Sequence, residues 1–215
     1  MPLLKERDKR LLKARFSRDL ANHVRLIVFT QEFECEYCRE VRELMEELAE
    51  LDERIRVEVY DFRADRELAE RLRVDKIPAL LLFGEREYGV RFFGIPSGYE
   101  FTTLIEDIID VSRGSSRLSP QVKEKVRSIN KLAHIQVFVT PTCPYCPIAV
   151  RAVHQMAIEN PMITADMIEA LEFPHLANRY QVMAVPKIII NDKVSFEGAV
   201  PEPLFVEHVI ATLKS

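Results

Sequence analysis

Cys35-Glu-Tyr-Cys38 and Cys143-Pro-Tyr-Cys146 contain all four cysteines of this 215-residue chain, and the second quartet begins 108 residues after the first. A constant offset between two such motifs marks an internal repeat, which constrains architecture more strongly than local propensity. The same offset joins Ile55 to Ile163, Leu68 to Leu176, Ala69 to Ala177, Arg71 to Arg179, Val74 to Val182 and Pro78 to Pro186. Past the prolines it shrinks to 104, pairing Gly94 with Gly198 and Phe101 with Phe205. The shortening falls where Asn191-Asp-Lys193 stands against Gly84-Glu-Arg-Glu-Tyr-Gly89, a place where a hairpin turn absorbs it.

Outward from each cysteine pair the elements follow in the same order. An apolar run precedes it, Val24 to Phe29 or Ile135 to Val139, each long enough for one strand. A helix follows it, with Val41, Leu44, Met45 and Leu48 at helical spacing, and with Ala149, Ala152, Val153 and Met156 in the corresponding places. Next come a strand (Ile55 to Tyr60; Ile163 to Ile168) and a short helix around Leu68 or Leu176. Pro78 and Pro186 then open apolar strands, 79–83 and 187–190, whose hairpin partners are 90–93 and 194–196. A last helix, 102–109 or 203–213, completes each unit. Ser112 to Arg117 reads as a turn between the units. Ser119-Pro120 reads as a helix cap with proline at the first helical position, opening a helix to about Leu132. The amphipathic stretch Glu6 to Leu20 is its counterpart in the first unit.

The order β-α-β-α-β-β-α places a parallel βαβ half before an antiparallel hairpin, with helices covering the sheet. That is the thioredoxin order. The expected class is α/β, with two tandem thioredoxin-like folds, each a mixed sheet of four strands or slightly more flanked by helices. The expected units are residues 1–113 and 114–215, since two compact cores of about 100 residues fit this length.

Totals narrow the function classes. The apolar fraction of 47% and charged fraction of 30% are those of a globular protein, and a net charge of −4 offers no basic surface for nucleic acid. No run approaches the eighteen or so apolar residues of a membrane span, and the start, Met1 to Arg10, mixes both charges where a signal peptide needs an apolar stretch. The expected location is the cytoplasm, with no membrane and no nucleic-acid partner. The chain has no Trp, few Asn and Gln, and abundant Glu and Arg, the composition trend of thermophiles. Cytosolic disulfides are common in hyperthermophiles.

Two cysteines at a helix start need only backbone physics to become reactive. The unpaired amides and positive end of the dipole favour a thiolate on the first cysteine, which makes Cys35 and Cys143 the expected nucleophiles. Cys38 and Cys146 are the resolving thiols, placed to attack a mixed disulfide. Tyr37, Pro144 and Tyr145 stand between the sulfurs as expected substrate contacts. Glu32, Glu34, Glu36 and Glu40 crowd the first motif, and like charge disfavours a thiolate, whereas Thr142, Pro144 and Pro147 flank the second. Cys143 is therefore expected to be the more acidic nucleophile.

In the thioredoxin layout a proline opening the third strand lies beside the redox pair, and Pro78 and Pro186 each stand 43 residues after the first cysteine of their unit. By that analogy the Ile77-Pro78 and Val185-Pro186 bonds are cis. The backbones of Ile77 and Val185 then pair with an extended client segment.

Structural zinc is the main rival for paired Cys-x-x-Cys motifs, but zinc ribbons separate their pairs by about 15–20 residues. A whole repeated fold intervenes here, and no metal is expected. The histidines His23, His134, His154, His175 and His208 lack ligand spacing and read as surface or core residues. Glu58 and Asp166, in register mid-strand, read as a solvated strand face rather than proton carriers.

Cys35-Glu-Tyr-Cys38, Cys143-Pro-Tyr-Cys146-Pro147, Val182-Met-Ala-Val-Pro-Lys187 and the run Tyr88 to Thr103 together resemble the glutaredoxin-like protein disulfide oxidoreductases of thermophilic archaea and bacteria. The resemblance covers nearly the whole chain. It implies reduction, oxidation and isomerisation of protein disulfides with no cofactor beyond the redox-active disulfides, and a more active second site. The implied partners are client proteins carrying disulfides or thiols, a thioredoxin-reductase-type flavoprotein as electron donor, and a peroxiredoxin. Two departures stand out. The double-glycine segment that binds glutathione in glutaredoxins is here Glu197-Gly-Ala-Val-Pro201, and thioredoxin's buried aspartate before the redox helix is matched by apolar Val28, Phe29, Val137 and Phe138. Two other readings are a dedicated electron carrier to a peroxiredoxin, resembling the paired-thioredoxin segment of alkyl hydroperoxide reductase flavoproteins, and a non-catalytic module that holds unfolded chains.

Overall fold

The computed structural model describes residues 3–214. The outer ends of the two expected units, at 1 and 215, and the first two residues of the charged start lie outside it. The first unit comprises α1 (Glu6–Asp19), β1 (Val24–Thr30), α2 (Cys38–Ala49), β2 (Ile55–Asp61), α3 (Arg66–Arg71), β3 (Ala79–Phe83), β4 (Glu87–Phe93) and α4 (Glu100–Arg113). The second repeats it with α5 (Pro120–Arg127), β5 (Ala133–Val139), α6 (Cys146–Glu159), β6 (Ile163–Glu169), α7 (Pro174–Arg179), β7 (Lys187–Ile190), β8 (Val194–Glu197) and α8 (Glu202–Lys214). The thioredoxin order therefore holds in both halves.

The two four-stranded sheets fuse into one of eight strands, ordered β2-β1-β3-β4-β6-β5-β7-β8. The seam is a parallel pairing of β4 with β6, from Val90↔Ala165 to Phe93↔Ile168. This explains the uneven repeat. β4 is an interior strand and reads as a nearly continuous buried run, whereas β8 is an edge strand, shorter and alternately half-buried and exposed.

Strand directions fix the placement of both cysteine loops. β1 is antiparallel to β3 and β3 to β4, so β4 runs with β1, and β6 and β5 run with β4. Both loops consequently leave the same edge of the sheet, about 19 Å apart at the usual strand spacing. One face of the sheet packs on α1, α2, α4, α5, α6 and α8, including Phe16, Met45, Ile108, Val153 and Phe205. The other face, with Ile27, Phe29, Phe93, Phe138 and Ile168, is covered by α3, α7 and the segments around them.

Several boundaries differ from expectation, most clearly in the helices that join the units. α4 begins two residues early and continues through Val111 and Ser112, which are buried, so the turn expected at 112–117 starts only where Gly114 caps the helix in the left-handed conformation. α5 has the expected Ser119 cap, whose hydroxyl accepts from the Val122 amide, but ends at Arg127. Asn160 stops it there: its side-chain amide donates to the carbonyls of Val126 and Ile129. Asp166 is no solvated strand residue. It is fully buried and forms a bidentate pair with Arg91 at 2.7 and 2.9 Å, with His134 Nε2 at 2.7 Å. Burial works against its ionisation, yet Arg91 and His134 hold it well below the usual carboxylate range. The pair lies on the α3 side of the sheet, where Arg91 also donates to the Arg73 carbonyl, away from the redox helices. Glu58, by contrast, pairs with Arg25 at the partly exposed edge.

Candidate active site

Both cysteine pairs are closed as disulfides. Each straddles a helix start: α2 and α6 begin at the second cysteine, with Tyr37 and Tyr145 as the residues before them. The first cysteine thus faces the unpaired amides of the first turn. At the second pair this contact is explicit, the Cys146 amide donating to Cys143 Sγ at 3.1 Å. Cys146 is fully buried and Cys143 is 8% exposed; at the first pair Cys38 is buried and Cys35 half-buried.

The Ile77-Pro78 and Val185-Pro186 bonds are both cis. Register carries them to the sulfurs, because Phe29 pairs with Ala79 and Phe138 with Lys187, so each proline sits beside the end of the strand that leads into the cysteine loop. The Cys143 sulfur lies 3.7 Å from the Val185 carbonyl oxygen. Gly94 and Gly198 donate their amides to the Pro78 and Pro186 carbonyls and anchor the strand starts. Ile77 and Val185 precede the first ladder pairs, leaving their backbone groups outside the hairpins.

The rims differ. Tyr145, Ile148 and Met183 are exposed around the second pair, Met183 at 89%. Pro144 is exposed beside Tyr145, while Tyr37 is half-buried. Glu36 next to Tyr37 pushes its phenol up from the ordinary value. At the first pair Glu34 reaches Arg63 and Arg39 reaches Glu43, so part of the acidic crowding has exposed partners.

Two groups near the sites escape sequence reasoning. Glu100, at the start of α4, is 2% exposed, and both of its carboxyl oxygens lack a partner. Burial raises it to about 7, with Asp107 adding like charge. Its neighbour Tyr99 donates its amide to Pro141, two residues before Cys143. Glu172, in the segment after β6, is also raised to about 7 by burial and by the charges of Glu169, Glu36 and Glu40. In the sequence, Gly-Tyr-Glu around Glu100 stands out only as part of a family signature, and the Glu172 carboxylate belongs to the second unit while it bonds to the first. Between α4 and α6, Asp107 binds Arg151 and His154, and Asp110 binds Arg151 and Arg117.

The thioredoxin-domain family profile matches residues 133–211, the second unit. Over 95% of its length the chain superposes on 91% of a protein disulfide oxidoreductase from Aeropyrum pernix K1, with a TM-score of 0.89 and 32% identity. It also superposes on the N-terminal N/C domain of the alkylhydroperoxide reductase AhpF from Enterococcus faecalis V583, with a TM-score of 0.88 and 25% identity over 96% of this chain and 99% of that one. Among curated proteins it is 29% identical over 172 residues to the NADH dehydrogenase of Bacillus subtilis strain 168, covering 80% of this chain and 31% of that protein. The AhpF polypeptide of alkyl hydroperoxide reductase from Pseudomonas aeruginosa is 32% identical over 59% of this chain. Of that protein the chain spans 24%.

Proposed function

Because the chain belongs to the protein disulfide oxidoreductases, we propose that it exchanges dithiols for disulfides in client proteins through two redox centres, the second being the more reactive. The observation that carries this reading is the pair of helix-start disulfides, each beside a cis-proline strand. In the reducing direction the Cys143 thiolate attacks a client disulfide, forming a mixed disulfide and expelling one client thiolate. Cys146 then loses its proton and attacks Cys143 Sγ; the Cys143–Cys146 bond forms, the mixed disulfide breaks, and the second client sulfur leaves. Two electrons pass to the client, and the protons end on its sulfurs. Cys35 and Cys38 run the same cycle. Oxidation is the reverse.

Client chain pairs with the free backbone of Val185 or Ile77 in the manner of strand addition, beside Pro186 or Pro78. Tyr37, Pro144 and Tyr145 supply the adjoining contacts. Glu100, whose neighbour Tyr99 bonds to Pro141 ahead of the second centre, is suited to hold a proton at neutral pH, and on this reading it fills the role left open by the apolar strand before the redox helix. The units divide at 113/114, and reducing electrons come from a thioredoxin-reductase-type flavoprotein. No further cofactor or metal is invoked. A cytoplasmic, high-temperature setting belongs to the same proposal, supported by the composition; no helix among the described residues is long and apolar enough to cross a membrane.

The likeness to the AhpF polypeptide favours a second reading, in which the chain hands electrons to a peroxiredoxin. Dithiothreitol-driven insulin reduction separates the readings. Robust turnover, abolished when all four cysteines become serine, supports the general enzyme. Inactivity on insulin with rapid reduction of a peroxiredoxin supports the carrier, and unchanged capture of unfolded chains by the serine variant supports a holding module.

A further inference from the structure

The parallel seam between β4 and β6 brings the segments that follow them to the sheet edge that carries both redox loops. There Gly94, at φ 91°, allows a close approach: a Cβ would stand 2.7 Å from that of Glu169 and 2.8 Å from Glu172 Oε1. The Ile95 amide donates to Glu172 Oε1 at 2.7 Å, and the Glu172 amide donates to Glu169 Oε2 at 2.7 Å. The Glu172 carboxylate of the second unit is thereby fastened to the backbone of the first, with Glu169 braced behind it by the Glu172 amide, within electrostatic reach of α2. Glu36 and Glu40 act on Glu172, and both second-unit carboxylates act on Tyr37, between Cys35 and Cys38. Glu169 is 3% exposed with Oε1 unpartnered, and Glu40 Oε2 is likewise buried and unpartnered. Among the described residues none of these four glutamates has an ion pair with a lysine, arginine or histidine.

We propose that Glu172, supplied by the second unit, is a positioning residue of the first redox centre: the protonation state of its carboxyl sets the charge against which the Cys35 thiolate forms. The inference rests on the reading of Cys35–Cys38 as a redox pair. The groups facing Glu172 are Glu36, Tyr37 and Glu40 on and before α2, Glu169 at the end of β6, and the Ile95 amide. All of the titratable ones are acidic; the cation beside Glu40, Arg39, is paired with Glu43 at the exposed surface. Like charges crowded around a buried carboxyl disfavour its ionisation. Burial and the neighbouring charges raise Glu172 to about 7, and burial raises Glu169 as well. Below that pH the thiolate forms beside a neutral acid; above it, beside an anion that opposes it.

The test uses the Cys143→Ser/Cys146→Ser chain, reduced and desalted, with iodoacetamide alkylation of Cys35 followed from pH 5 to 9. An inflection near pH 7 should precede the thiol's own titration. Glu172→Gln, which keeps an oxygen for the Ile95 amide, should remove it and accelerate alkylation at pH 8 by about three- to tenfold, the effect of half to one pKa unit. Glu40→Gln, remote from that amide, should move the profile in the same direction and covers the case in which Glu172→Gln folds poorly. The Cys143 profile in the Cys35→Ser/Cys38→Ser chain should not respond to either change. Unaltered Cys35 profiles in both variants would overturn the inference, whereas a reduced Cys35–Cys38 pair that alkylates but never exchanges with a disulfide would overturn the underlying redox reading.

Discussion

The Cys146 amide points at the Cys143 sulfur from 3.1 Å, which turns the positive end of α6 onto the atom proposed as nucleophile. No acidic residue lies next to that motif in sequence, while Glu36 sits inside the first one. Cys143 should therefore alkylate about tenfold faster than Cys35 at pH 6, the consequence of roughly one pKa unit. Mass-resolved iodoacetamide trapping of the reduced protein measures both rates in one sample. Faster labelling of Cys35 would contradict the comparison.

Glu100 should make stability fall with pH across the neutral range. Its folded-state value of about 7 lies above the ordinary 4.5, so the native state holds a proton that the unfolded chain has released; stability is full below pH 4.5 and declines as pH rises through 7. The decline amounts to about 3 kcal/mol at most. Glu100→Gln should abolish it, so that the variant gains on the parent steadily from pH 5 to 8 in denaturant unfolding. In insulin turnover the same change should flatten the acid limb of the pH profile.

Glu159 has the opposite sign. Burial tends to raise it, but the Ser116 amide and hydroxyl together with Lys123 and Arg127 outweigh burial and bring it to about 2. Its stabilising contribution is present above pH 4.5 and disappears as pH falls to 2. Glu159→Gln should lower Tm by about 5 °C at pH 7, and the gap from the parent should close near pH 2. The carboxylate ties α6 to the segment joining the units and to α5, so limited proteolysis near Ser115 should also accelerate.

Arg91 and Asp166 bridge the seam between the two halves of the sheet. Asp166→Asn leaves a buried guanidinium without its charge partner and should cost about 3–5 kcal/mol in denaturant unfolding. The double change Arg91→Met/Asp166→Leu should cost much less, because it removes both charges. Equal losses in the two variants would show that packing rather than charge governs the seam.

The repeat makes much of this legible. The offset of 108 carries the helical face at Val41, Leu44, Met45 and Leu48 onto Ala149, Ala152, Val153 and Met156, and all eight are buried. The prolines at equal spacing mark both cis bonds. What escapes depends on contacts between the units. Nothing local in Val90 to Phe93 names β6 as its neighbour, although a continuous apolar run does signal an interior strand. Asp166 reads as solvated because its partner Arg91 stands 75 residues away. Glu100 and Glu172 acquire their properties from burial in the folded chain, for Glu172 against the opposite unit, which no motif within their own segments encodes.

An oxidoreductase with two active centres, of which the second leads, is tested most directly by insulin reduction with paired variants. Turnover by Cys35→Ser/Cys38→Ser should stay within about twofold of the parent, while Cys143→Ser/Cys146→Ser should lose at least about tenfold, the equivalent of about 1.4 kcal/mol or more in barrier. Loss confined to the first pair of changes would contradict the assignment of the leading site, and full activity in both variants combined would contradict cysteine chemistry altogether.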